Sequence, residues 1–146
     1  MLGVEPQIRE KYVKTGQVMI IFSPVLNHAD LSDQTHQGAE CAADQGRFWE
    51  FHDLLFEKQD LLYSGQDIRT SVKQLAAEAG FDTAEFNNCL DEQRHFDLIQ
   101  SQDQIRQKAG IWGQPVFYIN GDFLVGAQPY EVFQETIDAK LAELEK

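Results

Sequence analysis

Two β-favouring runs, VFYIN and FLVGA, stand on either side of Gly121-Asp122 near the end of the chain. Together with Asn120, these residues suit a tight two-strand turn, so residues 116–126 are predicted to form a β-hairpin. The stretch GIWGQPVFYING shows what precedes it, a proline at the mouth of the first strand. Pro115 has no N–H to give to a ladder, so it belongs at a strand's first residue, at an edge or at a bend. A strand that starts in this way leaves an opening beside it.

The other strand signal lies far upstream. QVMIIF, residues 17–22, is a continuous apolar run of strand length, ended by Ser23-Pro24, and it reads as a strand buried on both faces. Between the two signals the pattern is helical. Before the first, Pro6 opens a short helix that carries Ile8, Tyr12 and Val13 on one face and stops at Thr15-Gly16. From about Ser32 a long helical stretch concentrates Phe48, Trp49, Phe51, Leu54, Leu55 and Phe56, with Gly46 interrupting it. Asp67 caps a helix whose apolar face is Ile68, Val72, Leu75, Ala76 and Ala79, and Gly80 stops it. Asp82 and Glu85 form a capping box for a helix through Phe86, Cys89 and Leu90. A further helix carries Leu98, Ile105 and Ala109 to Gly110. After Pro129, Phe133, Ile137, Leu141 and Leu144 make the stripe of a terminal helix. The predicted order is therefore helix, strand, several helices, hairpin, helix, an α/β chain without repeats or linkers.

Composition narrows the function. At 146 residues and 42% hydrophobic, with ten phenylalanines, the chain suits one domain with a real core. A net charge of −12 argues against nucleic acid, which demands clustered Lys and Arg. The scattered carboxylates serve solubility. No apolar run approaches the ~20 residues that span a bilayer. MLGVEPQIREKY has no apolar core of a signal peptide. The four histidines (His28, His36, His52, His95) are scattered without the pairing of a zinc site and read as surface or partly buried groups, so neither metal nor cofactor is expected. Two cysteines, Cys41 and Cys89, are too few for a disulfide scaffold and too far apart for a Cys-x-x-Cys motif.

The order of elements, with Pro115 before the hairpin, resembles the second half of a thioredoxin fold. More specifically, it is similar to the DsbA-like thiol–disulfide oxidoreductases, in which a helical insertion interrupts the thioredoxin domain. The matching stretches are GQVMIIFSPVL, the aromatic-rich CAADQGRFWEFHDLLFEKQ, GFDTAEFNNCL and GIWGQPVFYINGDFLVGAQPYEVF. They run in order over nearly the whole chain. The resemblance implies a thioredoxin-like sheet that holds both 17–22 and 116–126, with four to five inserted helices across about residues 30–109. Read alone, Pro115 is a trans residue that starts a strand. The resemblance makes it a cis-proline whose loop faces a redox centre and, with Gln114, holds an extended peptide. A cis X–Pro bend presents backbone polar groups without a side chain in the way.

The chain departs from that family in three ways. It has no Cys-x-x-Cys, it places Gln114 where Thr or Val usually precedes the proline, and VEPQIREKYVKTG matches only the tail of the active-site helix. The strand and half-helix that carry the dithiol are therefore expected to be missing, leaving the fold N-terminally incomplete. A dithiol cycle needs one attacking and one resolving thiol, so this chain is expected to be inactive alone. Cys41 and Cys89 fall on apolar helix faces of the insertion, away from Pro115. They read as a structural disulfide or as two buried thiols, with a redox-active pair as the third reading. Some DsbA-like proteins have a second disulfide in this region, which favours the first.

Two functions stay open. One is an oxidoreductase-family protein that acts on cysteine-containing polypeptides. The other is a non-catalytic peptide-binding or structural interaction module on the same scaffold. The resemblance also suggests an extracytoplasmic setting. Finally, a missing strand would leave unpaired edges on 17–22 and 116–120, each buried polar group costing about 1–3 kcal/mol. Either these strands close directly on each other, or the edges pair two copies into a homodimer.

Overall fold

A short helix, α1 (Glu5–Ile8), begins the chain with Pro6 in its first turn, where the missing N–H costs nothing. It continues as a π-helical turn over Arg9–Val13. The computed structural model describes residues 3–62, 64 and 67–144. These divide into two units, Met1–Phe22 with Ala109–Lys146, and Ser23–Lys108 inserted between those two halves.

In the first unit, Ile8 and Tyr12 pack with Phe133 and Ile137 of the last helix, α8 (Tyr130–Leu144). The Tyr12 hydroxyl donates to Asp138 at 2.6 Å, so the one polar atom of this cluster is satisfied. Strands β1 (Val116–Ile119) and β2 (Asp122–Val125) form the hairpin, joined by Asn120-Gly121 with φ of +41° and +108°. Both values lie in the left-handed region that Asn and Gly tolerate best, as a two-residue hairpin loop requires. Phe117 meets Phe133 edge to face at 4.7 Å, and Ile119 and Leu124 pack on the same cluster. The terminal stripe ends one turn earlier than predicted, since Leu144 is exposed.

Residues 17–22 correct the expectation of a strand in that sheet. The sheet of the described residues holds β1 and β2 alone, in antiparallel register from Val116↔Val125 to Ile119↔Asp122. The Tyr12 carbonyl accepts the amides of both Gln17 and Val18, tying this run to the turn before it. Nor is the run buried on both faces. Val18 and Ile20 pack on the cluster, whereas Met19 is 79% and Ile21 77% exposed. Continuous hydropathy cannot distinguish a doubly buried strand from a half-buried one; only neighbouring backbone can. Direct closure of 17–22 onto 116–120 is likewise not formed.

The second unit is helical: α2 (Asp30–Asp44), α3 (Phe48–Glu57), the single turn α4 (Gln59–Leu62), α5 (Ile68–Glu78), α6 (Thr83–Asp91) and α7 (Phe96–Lys108). Among the described residues that is one helix more than the four to five expected, the extra one being α4. Helix α2 is the hub, packed against α3, α5, α6 and α7. The long helical stretch breaks at Gln45-Gly46, with Gly46 at φ +71°, before α3 begins. Of the aromatic run, Phe51 is wholly buried against Phe81 and Phe86, while Phe48 and Trp49 are half-buried beside His52. Asp67 caps α5 through the Thr70 amide at 2.9 Å.

Two local expectations change here. The capping box of α6 forms by half: Asp82 accepts the amides of Ala84 and Glu85, but the Asp82 amide donates to Gln45 and Glu85 pairs with Arg94. Helix α7 also turns a different face inward. Ile99, Asp103 and Arg106 are buried, whereas Leu98 and Ile105 are exposed. The reason lies in Asp103, which accepts the Leu26 amide at 3.1 Å, Arg106 at 2.7 and 2.8 Å and Gln107 at 2.6 Å. Burial pushes its carboxyl up, but those donors outweigh burial and hold it below the usual carboxylate range.

Candidate functional site

The first candidate centre is the proline loop. Helix α7 ends at Lys108, and Gly110 (φ +73°) turns the chain out of it. Trp112, 71% exposed, is followed by exposed Gly113 and Gln114. The Gln114–Pro115 peptide bond is cis. The Pro115 carbonyl accepts the Gly126 amide at 2.8 Å, which pins the loop to the open end of the hairpin. Gln128 secures the other strand by donating to the Val125 carbonyl at 2.8 Å. Strand β1 thus leaves the loop with β2 on one side and no second strand neighbour among the described residues.

The second centre is in the helical unit. Cys41 of α2 and Cys89 of α6 form a disulfide with a Cα–Cα distance of 5.8 Å, each residue only 1% exposed. The turn after α6, with Gln93 at φ +51°, folds back so that the Arg94 amide donates to the Cys89 carbonyl at 3.1 Å. That return brings Arg94 and His95 to Asp44, the last residue of α2. His95 Nε2 donates to Asp44 Oδ2 at 2.9 Å and Arg94 Nη1 at 3.2 Å. The same carboxylate oxygen stands 3.7 Å from Cys89 Sγ. A carboxylate at a helix C-terminus opposes the helix dipole, so its cationic partners offset an unfavourable position. Burial raises the Asp44 carboxyl, but His95 and Arg94 outweigh it and hold the group below its ordinary value.

A family model described as thioredoxin matches residues 2–139. The chain belongs to the thioredoxin family. Within it, the chain is similar to the DsbA-like thiol–disulfide oxidoreductases. It is 26% identical to the Disulfide bond formation protein D of Bacillus subtilis, over 93% of this chain and 63% of that protein. It is 29% identical to the Na(+)/H(+) antiporter NhaA 3 of Salinispora tropica, over 80% of this chain and 18% of that protein. The crystal structure of oxidised BdbD from Bacillus subtilis superimposes with a TM-score of 0.81 at 24% identity, over 96% of this chain and 77% of that one. The chain thus spans less than two thirds of the length of these curated relatives. The thioredoxin-like fold with its helical insertion stands. Among the described residues, no helix is long and apolar enough to cross a membrane.

For a thioredoxin-family chain, the residues singled out in the sequence fall into two separate groups. Gln114 and Pro115 lie together in the hairpin unit, and Cys41 and Cys89 in the helical unit. Sequence reasoning passed over Asp44 and Arg94, and it read His95 only as a surface or partly buried group. The available signal was weak: Cys41 and Asp44 are three apart on one helix, and His95 lies six beyond Cys89, across a turn whose direction no local pattern states.

Proposed function

We propose that the chain holds cysteine-containing polypeptides for protein thiol–disulfide chemistry, and that its 146 residues do not turn over a dithiol cycle unaided. The observation that carries the reading is the exposed Trp112–Gln114 run leading through Pro115 into β1. An extended peptide laid against such a strand is held by main-chain hydrogen bonds, the sequence-tolerant mode that varied polypeptide substrates demand. Gln114 offers an amide donor and acceptor at the point where the peptide would pass. The relatives' names support the chemistry, and the joined, buried cysteines support the absence of turnover.

The test has two arms. Insulin reduction and oxidative refolding should proceed at the no-enzyme rate with this chain. Turnover that survives in a Cys41→Ser/Cys89→Ser variant would show the chemistry to lie elsewhere; turnover lost in it would make the two cysteines an active pair. In the second arm, an extended cysteine-containing peptide should perturb the amide resonances of residues 111–118, and Gln114→Lys should weaken binding several-fold. Unchanged binding in that variant would remove the loop from the site. The reading extends to assembly: the apolar exposure of Met19 and Ile21 and the single-neighbour strand β1 support pairing of two copies through these edges.

A further inference from the structure

Three donor atoms of zinc-binding type converge at the disulfide of the helical unit, and a fourth stands beside two of them. The two sulfurs of Cys41 and Cys89 and a ring nitrogen of His95 all lie within 4.8 Å of one another. Asp44 Oδ2 adds the fourth, 2.9 Å from His95 Nε2 and 3.7 Å from Cys89 Sγ. We propose that Cys41, Cys89, His95 and Asp44 form a zinc site when the disulfide is reduced, so that metal and disulfide are alternative occupants of one place.

The geometry requires little movement. Tetrahedral zinc with Zn–S bonds of about 2.3 Å sets its two sulfurs about 3.8 Å apart. Cysteines whose Cα atoms are 5.8 Å apart can reach that separation by rotating about χ1 once the covalent bond is gone. Zn–N and Zn–O bonds of about 2.0–2.2 Å set the imidazole nitrogen and the carboxylate oxygen about 3.3 Å apart. The present 2.9 Å contact thus opens by a few tenths of an ångström, with the metal replacing the proton that the two atoms now share. Around the four ligands the support is already in place. Arg94 bonds that same Asp44 oxygen at 3.2 Å and is itself held by Glu85 at 2.6 Å, so the carboxylate is fixed beside the sulfurs. Both cysteines are rooted in the wholly packed core of Phe51, Phe86 and Leu90, which keeps water from the sulfur side. His95, less buried than the cysteines, provides the side from which an ion enters.

The chemistry balances with a thiol reductant. A dithiol gives two electrons and two protons to the S–S bond and leaves as its own disulfide, while Cys41 and Cys89 become thiols. The ion then displaces both thiol protons, and the proton between His95 and Asp44 passes to His95 Nδ1 so that the imidazole stays neutral; two metal–thiolate bonds, one metal–nitrogen bond and one metal–carboxylate bond form. Reoxidation by a small-molecule disulfide takes two electrons from the thiolates, restores the S–S bond and expels the ion.

The full chain, reduced with dithiothreitol, desalted without oxygen and titrated with Co²⁺, tests this. The reduced protein should take up one Co²⁺ per chain, with thiolate-to-cobalt charge transfer and the visible bands of a tetrahedral ion. Zn²⁺ should displace it, and the oxidised protein should show neither band. His95→Gln should weaken binding at least tenfold, Asp44→Asn should weaken it and shift the visible bands, and Cys41→Ser/Cys89→Ser should abolish it. Circular dichroism is followed throughout. If the reduced apoprotein is unfolded, Zn²⁺ must restore its helicity. No cobalt bands in the reduced protein, no metal-driven recovery of helicity from an unfolded reduced state, or undiminished affinity in any of the three variants would overturn the site.

Discussion

His36 shows how a single side chain can set the acid limit of this molecule. It lies half-buried on α2, and burial lowers its pKa to about 4, with His52 adding to the effect against the opposing Val25 carbonyl and Asp103 carboxylate. In the unfolded chain it titrates near 6.5. Between those values the unfolded state binds more protons, so the stabilising contribution is complete above pH 6.5 and is lost as pH falls toward 4. At pH 5 the loss is on the order of 2 kcal/mol. Thermal melts from pH 7 to pH 5 should therefore show a falling midpoint, and His36→Gln should flatten that slope. An equal slope in the variant would assign the acid sensitivity to other groups.

Among the elements, α2 is the most tightly constrained. Gly38 sits in its middle, where a glycine ordinarily costs about 1 kcal/mol relative to alanine. A methyl group there would come within 2.7 Å of Val72 Cγ1 and 3.1 Å of Phe51 Cε1, both on packed neighbours. Gly38→Ala should therefore destabilise by roughly 1–3 kcal/mol in urea unfolding, reversing the propensity gain. A stabilised variant would mean that α3 and α5 yield more easily than their packing indicates. Elements specified by their own residues were legible in the sequence: the Asp67 cap, the break at Gly46, the Asn120-Gly121 hairpin. The inward face of α7 was not, because hydropathy sends Asp103 and Arg106 to solvent, and only the distant Leu26 amide gives the carboxylate a reason to be inside. The strand expected at 17–22 failed for a related reason, since an apolar run does not say whether a partner backbone is present. Pro115 read alone suggested a trans strand opener, and its cis bond was expected only from the family resemblance, whereas the Asp44–His95 half of the second centre depends on a turn that joins residues fifty positions apart.

For the molecule as a whole, the disulfide and the exposed apolar side chains of Met19 and Ile21 make opposite contributions. Cys41 and Cys89 are separated by 48 positions, and in the chain-entropy model such a cross-link contributes about 4 kcal/mol. Cys41→Ser/Cys89→Ser should lower the unfolding free energy by up to that amount, read as a lower urea midpoint with a steeper slope, because the uncrosslinked denatured chain exposes more surface. Light scattering at micromolar concentration should report a dimer, and a charge on the exposed face of 17–22, as in Ile21→Lys, should dissociate it. A monomer in the unmodified chain would end that proposal. The insertion of Ser23–Lys108 into the other unit also bears on the order in which the protein is made. The helical unit is contiguous, its contacts close over short loops, and it can fold as soon as residue 108 has left the ribosome. The hairpin unit must wait for both of its halves, and α1 remains without Phe133 and Ile137 until the last helix is synthesised. During that interval Ile8, Tyr12 and the apolar run at 17–22 are available to other chains, so the period of greatest exposure to aggregation is set by the time needed to translate the insertion.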